Sequence, residues 1–213
     1  MAVLIPGKIL FLAQQHTGSM AVSEALRGIG GFFIAPGHIT LEEIKLGNGW
    51  IEERGSPGKG PCAWRTMTGK ESVVTTVRNP YDVIVTWYLR SMYPGTLEDY
   101  VDGVGRQFRS AYVKGDEIRW HPDAEIRMWH ETLADDFRAL LSAKRVEPVD
   151  LPVTNETPGK AHWARYYSER ALGIVNERFH VEFAGMGYRM IGTVAELVDF
   201  RPEISPVSES ERE

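Results

Sequence analysis

Short apolar runs alternate with amphipathic stretches from one end of the chain to the other. Ile9-Leu10-Phe11-Leu12 is bounded and rich in β-formers, and it reads as a buried strand. Beyond the polar segment Gln14-Gln15-His16-Thr17-Gly18-Ser19, the apolar positions Val22, Ala25, Leu26 and Ile29 recur at helical spacing until Gly30-Gly31 stops them. Phe32-Phe33-Ile34-Ala35, closed by Pro36-Gly37, is a second strand or strand end. Thr40 with Glu43 three residues later has capping-box spacing and starts a short helix that ends near Gly47-Asn48-Gly49. Residues 47 to 61 are dense in Gly and Pro and read as a surface loop, of the kind that can lie over a site.

Ser72-Val73-Val74-Thr75-Thr76-Val77 is strongly β-branched, as an interior strand of a parallel sheet should be. The next residues change character at once. Asn79 suits an N-cap, Pro80 a first helical position and Asp82 an acidic first turn, so a helix with Val83, Ile84, Trp87 and Tyr88 inward is expected. Further helices are expected from Thr96 to Phe108, after Thr132 with Asp135 as its caps, and from about Tyr166 with Ala171, Ile174, Val175 and Phe179 as its stripe. Ala124 to Trp129 and Val149 to Val153 are strand candidates. Such alternation belongs to an α/β layer fold. The expected architecture is a P-loop-like three-layer fold with a small central parallel sheet flanked by helices, one domain over residues 1–200 and a polar, flexible tail over 201–213.

Composition narrows the function classes. The 213 residues are 43% hydrophobic and 25% charged, ordinary for a globular domain. With 24 Lys+Arg against 29 Asp+Glu, the net charge of −5 confines any anion site to a local feature and disfavours nucleic acid or a highly sulfated polymer as partner. One cysteine, Cys62, excludes an intrachain disulfide framework and a multi-cysteine zinc site. No apolar run approaches the roughly 18 residues of a membrane span, and the N-terminus lacks a signal-peptide layout, so a cytoplasmic protein with no membrane partner is expected.

Two strand-to-helix junctions carry candidate chemistry. A helix that starts just after a strand turns its first N–H groups and the positive end of its dipole toward the connecting loop, which favours an anion there. At the first junction Thr17 and Ser19 add hydroxyls, Gly18 allows close backbone approach, and His16 can supply a proton or a charge; the plainer alternative is that Thr17 or Ser19 only caps the helix. At the second, Arg78 stands at the helix mouth, and Thr86 lies on the face of Asn79 two turns along. The junctions are about 60 residues apart in sequence, and adjacent parallel strands would bring them to one sheet edge, where such folds bind ligands. Two separated anionic groups suggest a bisphosphorylated nucleotide. A P-loop NTPase fits less well, because each Gly-Lys pair, at 7–8, 58–59, 69–70 and 159–160, lacks the following Ser/Thr that holds magnesium.

At these residues the chain resembles the PAPS-dependent sulfotransferases, in particular the carbohydrate 2-O-sulfotransferase-like branch and its bacterial or viral members. QHTGSM is similar to the family's 5′-phosphosulfate loop and VRNPYDVIVTWY to its 3′-phosphate motif. HETLADDF and the stretch from NETPGKAHWARYY to FAGMGY resemble its later helix and C-terminal region. The resemblance implies that Gln15, His16, Thr17, Gly18, Ser19 and Met20 hold the 5′-phosphosulfate, and that Arg78 and Thr86 hold the 3′-phosphate, with Lys160 in a loop of the kind that closes over the donor. His16 stands where the family has lysine, so its help to the bridging oxygen would depend on pH near neutrality and activity should fall at alkaline pH. His38, in PGHITLEEI, matches the histidine that serves as general base in that branch, with Glu42 as the alternative. His121, His130 and His162 are expected to be structural or at the surface. The implied reaction transfers the sulfuryl group of PAPS to a hydroxyl or amine of a small-molecule or saccharide acceptor, without a metal. The alternatives are a P-loop-like nucleotide or small-molecule kinase and a non-catalytic PAP/PAPS-binding relative.

Overall fold

A computed structural model describes residues 2–14, 17–35, 39–48, 50–52, 59–104, 124–154, 157 and 159–198. They fall into two compact units. The first comprises Met1–Arg78 and Trp120–Glu156, the second Asn79–Arg119 and Thr157–Glu213.

The first unit is an α/β layer structure. Its sheet contains β1 (Ala2–Ile5), β2 (Ile9–Leu12), β3 (Phe32–Ala35), β4 (Trp50–Glu52), β5 (Lys59–Cys62), β6 (Ser72–Val77) and β7 (Ile126–Trp129), in the order β5-β4-β3-β1-β2-β6-β7. Strand β6 lies between β2 and β7 and is parallel to both, as its β-branched run predicts. The pairs β1·β2, β1·β3, β3·β4 and β4·β5 are antiparallel. The sheet is therefore mixed, and its parallel part is confined to three strands. The expectation of a parallel central sheet fails for the other four because Ala2–Ile5, passed over in the sequence, is itself a strand. It turns back on Pro6-Gly7, where Gly7 has φ 71° and Lys8 N–H donates to Ile5 O at 3.0 Å. A turn this tight can only join antiparallel neighbours.

Helices cover both faces, which explains why β1 and β2 are apolar at every position. Leu10 and Leu12 pack in one cluster with Leu41, Ile44 and Ala63, from α2 (Leu41–Lys45) and α3 (Ala63–Thr66). Ile9, Phe11 and Ala13 point the other way, to Val22, Ala25 and Leu26 of α1 (Ser19–Gly28) and Phe137, Leu140 and Leu141 of α6 (Leu133–Ala143). The predicted capping box at Thr40 is present, with Glu43 N–H donating to Thr40 Oγ1 and Thr40 N–H to the Glu43 carboxylate.

Three local expectations for this unit give way. Within the stretch read as loop, Trp50–Glu52 and Lys59–Cys62 pair as strands, their neighbours supplying an order that composition does not advertise. Val149–Val153 forms no strand; Val149 and Leu151 instead lean on the α1/α6 side of the core. Thr132 sits at the cap position of α6 without capping it. Asp136 draws its hydroxyl away, taking hydrogen bonds from Thr132 Oγ1 at 2.9 Å and Trp129 N–H at 2.8 Å.

The second unit is helical. It contains α4 (Pro80–Arg90), α5 (Leu97–Asp99), a π-type turn over Tyr100–Val104, a 3₁₀ turn over Trp163–Tyr166, α7 (Glu169–Met186) and α8 (Val194–Val198). Asn79 caps α4 as predicted, accepting from Tyr81 N–H at 3.0 Å. Tyr81 is fully buried. Trp163 stacks on it at 5.7 Å, Tyr167 meets it edge-on at 5.5 Å and Phe183 lies at 4.5 Å, while its hydroxyl donates to Asn176 Oδ1 and accepts from Ile191 N–H. The helix expected over Thr96–Phe108 starts at Leu97 and changes pitch at Tyr100, running on to Val104; residues 105–108 lie outside the described ones, as does the tail 201–213. The last long helix begins at Glu169 rather than Tyr166, because Ser168 caps it by accepting from Ala171 N–H. It kinks at Phe179, where φ is −117°.

Candidate functional site

Strands β2 and β6 are neighbours and parallel, with Leu12 opposite Thr75, so their C-terminal ends open on the same edge of the first unit's sheet. The chain leaves β2 into Thr17-Gly18-Ser19 and leaves β6 into Arg78. Both predicted corners are thus side by side on that edge, as far as the first unit reaches. Gln15 and His16 of the first corner, and the candidate base His38, lie outside the described residues.

Gly18 is the N-cap of α1. Its φ of 81° is a left-handed conformation that favours glycine, and a Cβ there would lie 2.6 Å from Leu133 Cδ2 and 3.4 Å from His130 Cδ2. No side chain caps α1, so the reading of Thr17 or Ser19 as a simple cap does not describe this helix start. Ser19 opens the helix and is nearly buried, and Met20 beside it is exposed.

Thr17 plays a different part from the one expected of its hydroxyl. It is 1% exposed, and its single hydroxyl hydrogen goes to Gln14 O at 2.9 Å. A second hydrogen bond joins Thr17 Oγ1 to Thr76 Oγ1, and with Thr17's hydrogen already given away, Thr76 must be the donor. Thr75 likewise donates to Leu12 O at 2.7 Å. Thr17 is thereby tied to β6, and its hydroxyl hydrogen is committed to Gln14 O. Gln14 adds a buried amide whose Oε1 has no hydrogen-bond partner among the described residues.

Thr86 and Lys160 come together in the second unit. Lys160 Nζ donates to Thr86 Oγ1 at 2.8 Å and forms an ion pair with Asp82, one turn earlier on α4. The two charged side chains are 13% and 12% exposed, so Lys160 is not a solvated surface lysine. Thr86 repeats the pattern of Thr17, since its hydrogen goes to the backbone O of Asp82 at 2.9 Å and its oxygen accepts from the lysine. Lys160 Nζ also reaches the backbone O of Asp82 at 3.4 Å, so its three N–H groups all face partners within this cluster.

No protein-family model, curated protein or solved structure matches this chain.

Sequence reasoning passed over two residues of these clusters. Asp82 registers in the sequence only as first-turn acidity; its i,i+4 relation to Thr86 is the signal that the two share a helix face. Thr76 is hidden in a β-branched run, although consecutive threonines in an otherwise apolar interior strand are themselves a hint, since buried hydroxyls need partners. Glu42, the alternative base, is exposed on α2 beside the capping Glu43. His162 is exposed and stacks on Trp163 at 5.1 Å. Among the described residues no helix is long and apolar enough to cross a membrane.

Proposed function

We propose that this chain is a PAPS-dependent sulfotransferase of P-loop-like fold, transferring a sulfuryl group to a hydroxyl or amine of a small-molecule or saccharide acceptor. The observation that carries the reading is the parallel adjacency of β2 and β6, which puts the Thr17–Ser19 corner and Arg78 on one sheet edge. The donor set suits the nucleotide's two anionic ends. A glycine-started helix of ten residues offers its opening N–H groups to one, and an arginine, the side chain best matched to phosphate geometry, offers a fork to the other. When bound, PAPS supplies the activated sulfuryl group.

The chain's residues would do the rest by positioning and charge stabilisation. The backbone from Gln15 to Met20 grips the 5′ end, and His16 donates toward the leaving oxygen. Arg78 fixes the 3′-phosphate. His38 takes the proton of the attacking acceptor. No metal has a part in this scheme, so a chelator should leave turnover unchanged.

Thermal melting in the presence of adenosine 3′,5′-bisphosphate (PAP), compared with ATP plus magnesium, tests the reading without knowledge of the acceptor. PAP should raise the melting temperature and ATP–magnesium should not; the reverse result points to the kinase alternative and removes the proposal. Binding of PAP with no turnover across an acceptor panel would retain the nucleotide site and discard the enzyme.

A further inference from the structure

We propose that Thr76 is a positioning residue that sets the spacing between the two anion corners. This rests on the sulfotransferase reading above and extends it to a residue outside both motifs. The β2·β6 ladder ends at Leu12 opposite Thr75, so Thr76 and Thr17 both lie past its last pair. There the hydroxyl of Thr76, fully buried, donates to Thr17 Oγ1, and Thr17 passes its own hydrogen to Gln14 O. The direction of this relay is fixed, because each hydroxyl has one hydrogen. The relay starts at Thr76, two residues before Arg78, and passes through Thr17, the residue before Gly18, the helix-opening glycine. A ligand anchored at both corners needs their separation held to a fraction of an ångström, and misplacement is costly even when each corner is intact. Gly18 can pivot on its left-handed backbone, so the side-chain tie stabilises a corner that the ladder no longer reaches.

The role predicts a loss confined to ligands that touch both corners. Titration calorimetry with PAP, adenosine 5′-monophosphate and adenosine 3′-monophosphate on the whole chain reads it directly. Thr76→Val keeps the shape and deletes the donor; it should weaken PAP on the order of tenfold, the equivalent of one net hydrogen bond, and leave each monophosphate within about twofold. Thr76→Ser should restore PAP binding. Thr17→Val should cost PAP at least as much, and the double Thr17→Val/Thr76→Val variant no more than Thr17→Val alone, since both act through one bond. Should Thr76→Val fail to fold, Thr76→Cys, a weak donor of similar shape, takes its place with the same expectation. Unchanged PAP affinity in Thr76→Val, an equal loss for adenosine 5′-monophosphate, or no rescue by serine overturns the inference while leaving the sulfotransferase reading in place. A wild-type chain that does not bind PAP removes that reading, and this inference with it.

Discussion

Two threonines, one in each compact unit, share a hydrogen-bonding pattern in opposite electrostatic settings. Thr17 and Thr86 both give their hydrogen to a nearby backbone carbonyl and both accept from a side chain. Around Thr17 the described partners are neutral, a carbonyl and another hydroxyl. Around Thr86 they are a lysine and the aspartate paired with it. In the proposed reading the first corner would hold an anion through helix geometry, with His16 as its titratable group. A corner built on a buried ion pair stands or falls with its charges. In both units the threonine hydroxyl is committed to its own neighbours, Thr17 to Gln14 and Thr76 and Thr86 to Asp82 and Lys160.

The largest effect should come from the charged corner. Lys160→Met removes one member of a buried pair and should destabilise the chain by about 3–5 kcal/mol in urea unfolding, whereas Lys160→Met with Asp82→Asn should recover much of the loss. Equal losses in the single and double variants would mean that the pair contributes only packing.

Next comes a charge that the first unit keeps at the other end of its strands. The Glu71 carboxylate accepts from Gly7 N–H at 2.7 Å, Thr68 N–H at 2.8 Å, Thr68 Oγ1 at 3.0 Å and Gly69 N–H at 3.0 Å, pinning the β1–β2 turn to the segment that enters β6. Burial alone would raise its pKa, but these hydrogen bonds, those from Thr68 and Gly7 foremost, overcome burial and hold it at about 2. A folded-state pKa below the unfolded one gives stability that is fully present above about pH 4.5 and is lost as the pH falls toward 2. The size is about 3 kcal/mol. Glu71→Gln should therefore destabilise at pH 7 and flatten the acid limb of the stability profile, and an unaltered limb would contradict the assignment.

A smaller effect belongs to the neutral corner. Gly18→Ala must take a left-handed backbone and displace Leu133, at a cost of about 1–2 kcal/mol, with loss of PAP binding out of proportion to the loss of stability. The smallest is Thr40→Ala, about 1 kcal/mol for a cap on α2, with PAP affinity unchanged.

Elements whose signals are local were legible in the sequence. Phe32–Ala35 and Ser72–Val77 appear as strands with the predicted bounds, and Asn79-Pro80 and Thr40/Glu43 start helices where their capping chemistry says they must. Ala2–Ile5, closed by Pro6-Gly7, carries the same local signal as Phe32–Ala35 and was legible though passed over, whereas Trp50–Glu52 and Lys59–Cys62 were not, because their pairing is decided by neighbours rather than by composition. For the two threonine clusters, Thr17, Thr86 and Lys160 could be singled out, but not the direction of their hydrogen bonds. That direction depends on Thr76 and Asp82, which become partners only in three dimensions.

The central claim, one nucleotide with two anionic ends held across adjacent parallel strands, is tested most directly by a two-by-two comparison of affinities: PAP and adenosine 5′-monophosphate, each against the wild-type chain and Arg78→Ala. The account predicts that the 3′-phosphate improves binding by at least about tenfold in the wild type and by less than about twofold once Arg78 is gone. A wild type that does not distinguish the two ligands, or a preference that survives Arg78→Ala in full, would contradict it.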